Sequence, residues 1–147
     1  MNFGPPEHVY VENDWHDGPL TGVADVAGVP HRFARRWVEA DDDYATDFLI
    51  WPISPEELLL EQERWRIFVA WHRRYDAREV DTSTHPGRGG IDARWDYLDT
   101  SLHNRYLPPP EGARRAALAL VRFDRVERFA DSGPDYALRW SINQQED

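Results

Sequence analysis

Apolar and polar residues alternate near both ends of the chain, while in its middle the apolar positions recur at steps of three and four. A period of two marks a strand with one buried face, and steps of three and four mark an amphipathic helix. On that basis His8–Glu12 forms a short first strand, and Leu20–Val26 and Val29–Val38 form two more. Thr46–Trp51 is an apolar run of strand length. Residues 1–7 read as a loose arm, because Pro5-Pro6 opposes regular pairing.

Only Ala27-Gly28 separates the second strand from the third, the length of a tight hairpin turn in which glycine supplies a positive φ. A two-residue turn sets the register: Val26 opposes Val29, Asp25 opposes Pro30, Ala24 opposes His31 and Gly22 opposes Phe33. One face then carries Ala24, Val26, His31, Phe33, Arg35 and Trp37 and is expected to be the core. The other face carries Val23, Asp25, Arg32, Ala34 and Arg36. Asp25 and His31 thus point apart, which removes an otherwise inviting acid–base dyad.

Ser54-Pro55-Glu56-Glu57 opens a helix: serine as N-cap, proline at the first helical position, Glu57 completing a capping box, and Ile53 with Leu58 as a hydrophobic staple. The helix is expected over 55–75, with Leu60, Ile67, Phe68, Trp71 and Tyr75 inward and Glu61–Arg64 and Glu63–Arg66 as exposed pairs. Ile91, Trp95, Leu98, Leu102 and Tyr106 predict a second helix over 92–106, with Asp92 as its cap and Pro108-Pro109-Pro110 as its stop. Between the helices, residues 78–90 read as a flexible loop. Its glycines and Arg88 would suit an anion, but it has neither Walker nor dinucleotide-site spacing.

Ala116–Phe129 fits a helix through Ala116, Ala119, Leu120, Phe123 and Val126, and a strand through Leu118–Val121. The turn former Asp131-Ser132-Gly133-Pro134 and the strand-like run Tyr136–Ile142 favour the strand and a closing hairpin. The tail 143–147 is polar and expected to fray. The elements together predict an α+β domain: a mainly antiparallel sheet of five or six strands, covered on one face by helix 55–75 with helix 92–106 beside it.

Composition narrows the chemistry. The 147 residues suit one domain, and seven tryptophans supply large buried areas. A formal net charge of −10 opposes binding to phosphate backbones, so direct nucleic-acid binding is not expected. There is no cysteine, hence no disulfide, thiolate metal site or cysteine nucleophile. No signal-peptide pattern or long apolar run is present, which makes a cytoplasmic location and no membrane contact the expectation.

Motifs for catalysis are sparse. The chain lacks G-x-S-x-G and H-E-x-x-H, and His72, His85 and His103 are scattered without zinc spacing. The acidic stretch Glu39–Asp43 lacks the glycine and closing glutamate of a calcium loop and reads as a solvated turn. No cofactor or metal is implied. The positions left for chemistry are His16 and Asp17 in the turn before the hairpin and His31 on its inner face, with Arg35 or Arg88 to hold an anionic substrate.

The run Trp15-His16-Asp17-Gly18-Pro19, with Gly22-Val23-Ala24-Asp25, Gly28-Val29-Pro30-His31-Arg32-Phe33 and Tyr136-Ala137-Leu138-Arg139-Trp140, resembles a group of small uncharacterised bacterial proteins. The resemblance implies no activity and supports the β reading of both hairpins.

Two functions follow as expectations. The first is a small acidic protein-interaction module, an inhibitor, immunity or accessory protein for a protein partner, since tryptophan and tyrosine are favoured at interfaces. The second is a small enzyme or ligand-binding protein with its site at His16, Asp17 and His31. A pocket uniting those three residues would favour the second, and an exposed apolar surface would favour the first.

Overall fold

Two consecutive pieces of the N-terminal segment belong to opposite edges of one sheet. A computed structural model describes residues 2–142; the tail 143–147 lies outside them. The strands are β1 (Pro6–Glu7), β2 (Val9–Trp15), β3 (Pro19–Val26), β4 (Val29–Val38), β5 (Asp43–Pro52), β6 (Arg115–Phe123), β7 (Phe129–Ala130), β8 (Gly133–Pro134) and β9 (Tyr136–Ile142). Seven form an antiparallel sheet in the order β1-β9-β6-β5-β4-β3-β2, and β7 and β8 pair separately within the β6–β9 connection. Since β1 lies on β9 and β2 on β3 with only His8 between them, the sheet is nearly closed into a barrel. At the seam a Cβ on Gly133 would lie 2.0 Å from the Val9 carbonyl oxygen, so only glycine fits.

The sheet therefore has seven strands where five or six were expected, and the arm, expected to be loose over 1–7, is tied down at Phe3, Gly4 and Pro6–Glu7. Gly4 N–H donates to the Trp140 carbonyl at 2.8 Å, and the Arg139 side chain donates to the carbonyls of Gly4 and Phe3. Pro6 is accommodated because β1 is an edge strand, where a missing donor costs little. Glu7 accepts from the N–H groups of Ala27 and Gly28 at 2.9 and 2.7 Å, bracing the β3–β4 turn. Both turn residues have left-handed φ values, 51° and 78°.

The β3–β4 register is the one the turn dictates, Val26 with Val29 through Gly22 with Phe33. Both of its faces are buried, however, which the expectation of a single core face missed. Val9, Ala24, Val26, Phe33, Ile50 and Trp140 fill the barrel with neighbours from β5, β6 and β9. On the outer face Val11 and Val23 pack against Trp65 and Val69 of the first helix. The bulge between Val9 and Val11 lets one strand serve both cores, since one extra residue reverses the alternation.

Helix α1 (Pro55–Asp76) starts as expected, with Ser54 Oγ accepting from Glu57 N–H at 3.1 Å. The capping box stays half made, because the Glu57 carboxylate turns to Arg32, 2.6 Å away on β4. The buried side chains of α1 are Glu61, Trp65 and Val69, and Tyr75 is exposed. The inward stripe is thus rotated from the one expected. The polar face of Arg32 on the sheet draws Glu61 inward as its partner, so Glu61–Arg64 is not an exposed pair. Glu63 likewise bonds to Arg94 rather than to Arg66.

Helix α2 (Ala93–Ser101) is capped by Asp92, which accepts from Trp95 N–H at 2.9 Å. It stops well short of residue 106. Arg105 folds back to donate to the Leu102 carbonyl and to Asp99, satisfying the helix end and halting it before the prolines. The loop between the helices is built from short helical turns, 82–84 and 86–88, held by Asp81 and His85 as caps. Of the stretch Ala116–Phe129 read as strand, β6 bears out the part up to Phe123, paired with β9, while 124–128 form no strand and Phe129 begins β7. Among the described residues no helix is long and apolar enough to cross a membrane.

Candidate functional site

Antiparallel pairing sends three connections to the same end of the barrel: His16–Gly18, Glu39–Asp42 and the 124–135 segment. Around this rim stand aromatic side chains that the cores do not absorb. Trp37 and Tyr44, paired across the β4–β5 hairpin, have ring centres 5.0 Å apart and are 50% and 37% exposed. Trp15 and Phe123 are 40% and 62% exposed with ring centres 6.4 Å apart, and the Arg128 guanidinium lies over Trp15 at 5.0 Å. Trp15 pairs with Pro19 at the start of β3, and β3 pairs with β4, so two strand spacings, about 10 Å, separate the two aromatic groups.

Glu39, Asp41, Asp42 and Asp43 form the tip between Trp37 and Tyr44, and all four are exposed. Among the described residues the neighbouring ion pair, Arg36 with Asp47 at 2.8 Å, leaves them without a cation. Asp42 closes the turn with a left-handed φ of 49°, and its N–H donates to the Glu39 carbonyl. The rim thus combines flat apolar surface with unneutralised carboxylates.

Trp37 was expected in the core. The β4–β5 register shift sets three β5 residues against Arg36 alone and leaves Trp37 opposite Tyr44 at the hairpin tip, beyond the buried part of the strand. The signal available in the sequence was its position: an aromatic on each side of an acidic turn is a cross-strand pair at a hairpin tip, where no helix covers it.

The sequence-derived site residues do not come together. His16 and Asp17 sit on the rim, 71% and 97% exposed, with 3.9 Å between them. His31 opposes Ala24 near the other end of β3, about 17 Å along the strand from Pro19. Arg35 shares the rim end with Gly18, but its guanidinium is laid on the Phe48 ring at 4.9 Å and serves as a plug for the barrel. Arg88 belongs to the loop after α1 and donates to the Thr82 carbonyl at 2.7 Å. Asp25 is on the outer face, accepting from the Tyr10 hydroxyl at 2.9 Å, so its separation from His31 holds.

His31 is buried, and its Nδ1–H donates to the Val29 carbonyl at 2.7 Å. This leaves Nε2 as an acceptor facing the Arg115 guanidinium at 3.4 Å. Burial pushes its pKa below the ordinary histidine value, opposed by the Val29 carbonyl and reinforced by Arg115. A neutral, hydrogen-bonded imidazole beside an arginine is a packing arrangement with no carboxylate to orient it as a base. Among the described residues no three His, Asp or Glu side chains are grouped to hold a metal.

No protein-family model, curated protein or solved structure matches the chain.

Proposed function

We propose that this protein is an acidic interaction module whose aromatic rim receives a basic segment of another protein. One observation carries the reading: Trp37 and Tyr44 stand exposed as a pair beside the carboxylates of Glu39, Asp41, Asp42 and Asp43. Large aromatics left in water forgo the stabilisation of burial, and Trp and Tyr supply interface area at small conformational cost. A partner arginine or lysine would meet ring faces and carboxylates together, combining cation–π and ionic attraction.

Charge selects the occupant. At −10 overall, a second copy of this chain would set one acidic rim against another, whereas a basic partner gains in encounter rate and register. An inhibitor, immunity or accessory role suits such a module, since each requires only that a partner surface be occupied. The reading based on His16, Asp17 and His31 draws no support from their positions at opposite ends of the barrel.

A photo-crosslinking residue placed at position 40, in the exposed acidic turn beside the intact Trp37–Tyr44 pair, tests the proposal in source cells, with position 29 at the opposite end as comparison. The expected result is one basic protein captured from position 40 and not from 29, which then binds the purified chain in a salt-sensitive manner. Capture from position 29 alone, or a partner without a basic contact surface, would overturn it.

A further inference from the structure

A small cavity lies between α1, α2 and the sheet, on the outer face of the barrel. Its volume is about 160 Å³, and its flat walls are Trp65, Phe68 and Trp95. A cavity of about 150 Å³ is known to hold one benzene ring. Size and wall chemistry therefore suit a single aromatic ring.

The polar wall is formed by Glu12, Asn13, Arg64 and His85. Its acceptors are already committed. Both oxygens of Glu12 take hydrogens from Arg128, at 2.9 and 2.8 Å, and one also takes the Tyr136 hydroxyl hydrogen. The Asn13 carbonyl oxygen accepts from Arg32 at 3.2 Å. Its donors are not committed. Trp95 is 4% exposed and its indole N–H meets no acceptor among the described residues; the same holds for the Asn13 amide nitrogen. A buried donor left in this way costs about 1–3 kcal/mol, so a native cavity that keeps two of them has use for an acceptor.

His85 adds a third donor. Its Nδ1 accepts from the Gly87 N–H at 2.9 Å, which leaves the hydrogen of the neutral ring on Nε2. Burial, then Arg88 and Arg64, hold its pKa below the ordinary value, which favours the neutral ring. Arg64 lies over the Trp95 ring at 3.9 Å and pairs with Asp99 at 2.9 Å, fixing that wall.

We propose that this cavity binds a small aromatic carboxylate, its ring between Trp65, Phe68 and Trp95 and its oxygens toward the free donors of Trp95, Asn13 and His85. A cation would meet Glu12 and Asn13 oxygens already engaged by Arg128, Tyr136 and Arg32, and a purely aliphatic acid would forgo the ring contacts. The site shares no residue with the rim and stands whether or not the rim binds a partner.

Benzoate and benzylamine, which have similar rings and opposite charges, are the probes, with the indole N–H resonances of ¹⁵N-labelled protein as the readout. Benzoate is expected to shift the Trp95 and Trp65 signals, leave Trp15 and Trp37 unmoved, and bind at least about tenfold more tightly than benzylamine. Trp95→Phe, which keeps a ring and removes the N–H, is expected to weaken benzoate about tenfold while the remaining indole signals stay in place. Unshifted Trp95 and Trp65 signals at saturating benzoate, or equal binding of benzylamine by the wild-type chain, would overturn the assignment.

Discussion

Arg32 on β4 and Glu61 on α1 meet as an ion pair with both side chains at 0% exposure, and this contact fixes how the first helix sits on the barrel. Glu57 adds a second carboxylate to Arg32 at 2.6 Å, and Arg105 approaches Glu61 at 3.9 Å. Withdrawing two charges from water consumes most of the attraction between them, so the pair specifies the docking angle more than it adds stability. Removing one partner leaves a buried charge. Arg32→Met is expected to cost about 3–5 kcal/mol in urea unfolding, because it strands Glu61 with only Arg105 at 3.9 Å, while Arg32→Met combined with Glu61→Leu should recover most of that loss. A double variant as unstable as the single would show that the pair itself, and not the stranded glutamate, carries the energy.

Barrel closure rests on a close approach at Gly133. Its φ of 142° is one that side chains avoid, and an added Cβ would meet the Val9 carbonyl oxygen at 2.0 Å. Gly133→Ala is expected to cost at least about 2 kcal/mol through strain and displacement of β2, read as a lowered melting temperature. Gly28→Ala has strained φ but nothing within 4 Å of the new Cβ, so it should cost less. Equal melting temperatures for the two would contradict the seam.

Stability should fall on mild acidification. His8, His31 and His85 all have folded pKa values below the ordinary 6.5, burial being the first cause in each. The unfolded chain therefore binds protons that the folded chain refuses. The stabilisation is present above pH 6.5 and is lost as pH falls through that value toward the folded pKa values. Urea midpoints across this window should decline with acid, and His31→Gln should flatten part of the decline. A midpoint that rises on going below pH 6.5 would contradict the neutral, buried imidazoles.

Much of this architecture is local and so can be read from the chain. The Ala27-Gly28 turn dictates the register of β3 on β4, and with it the separation of Asp25 from His31. Ser54-Pro55 and Asp92 start the helices where their capping chemistry requires. What escaped is non-local. Pro6 pairs with a strand more than a hundred residues away, which no spacing reveals, and that pairing turns an open sheet into a near-closed barrel. Once the barrel has two buried faces, alternation no longer tells core from surface. Arg32, placed by alternation on the face away from the core, is buried under α1, and Trp37, placed by it on the core face, is exposed at the hairpin tip. The rim was therefore hidden behind a correct strand, because alternation gives a residue's face and not where along the strand the core ends.

The interaction reading turns most directly on whether the aromatic pair, and not charge alone, holds the partner. The decisive measurement is the affinity of the partner captured through position 40 for the wild-type chain and for Trp37→Ala with Tyr44→Ala, followed by titration calorimetry at two salt concentrations. This double substitution leaves the net charge of −10 untouched. Loss of two rim rings should weaken binding by at least about 2 kcal/mol, or roughly thirtyfold, with unchanged unfolding and a similar salt dependence. Wild-type affinity in the double variant would contradict the rim as the binding surface.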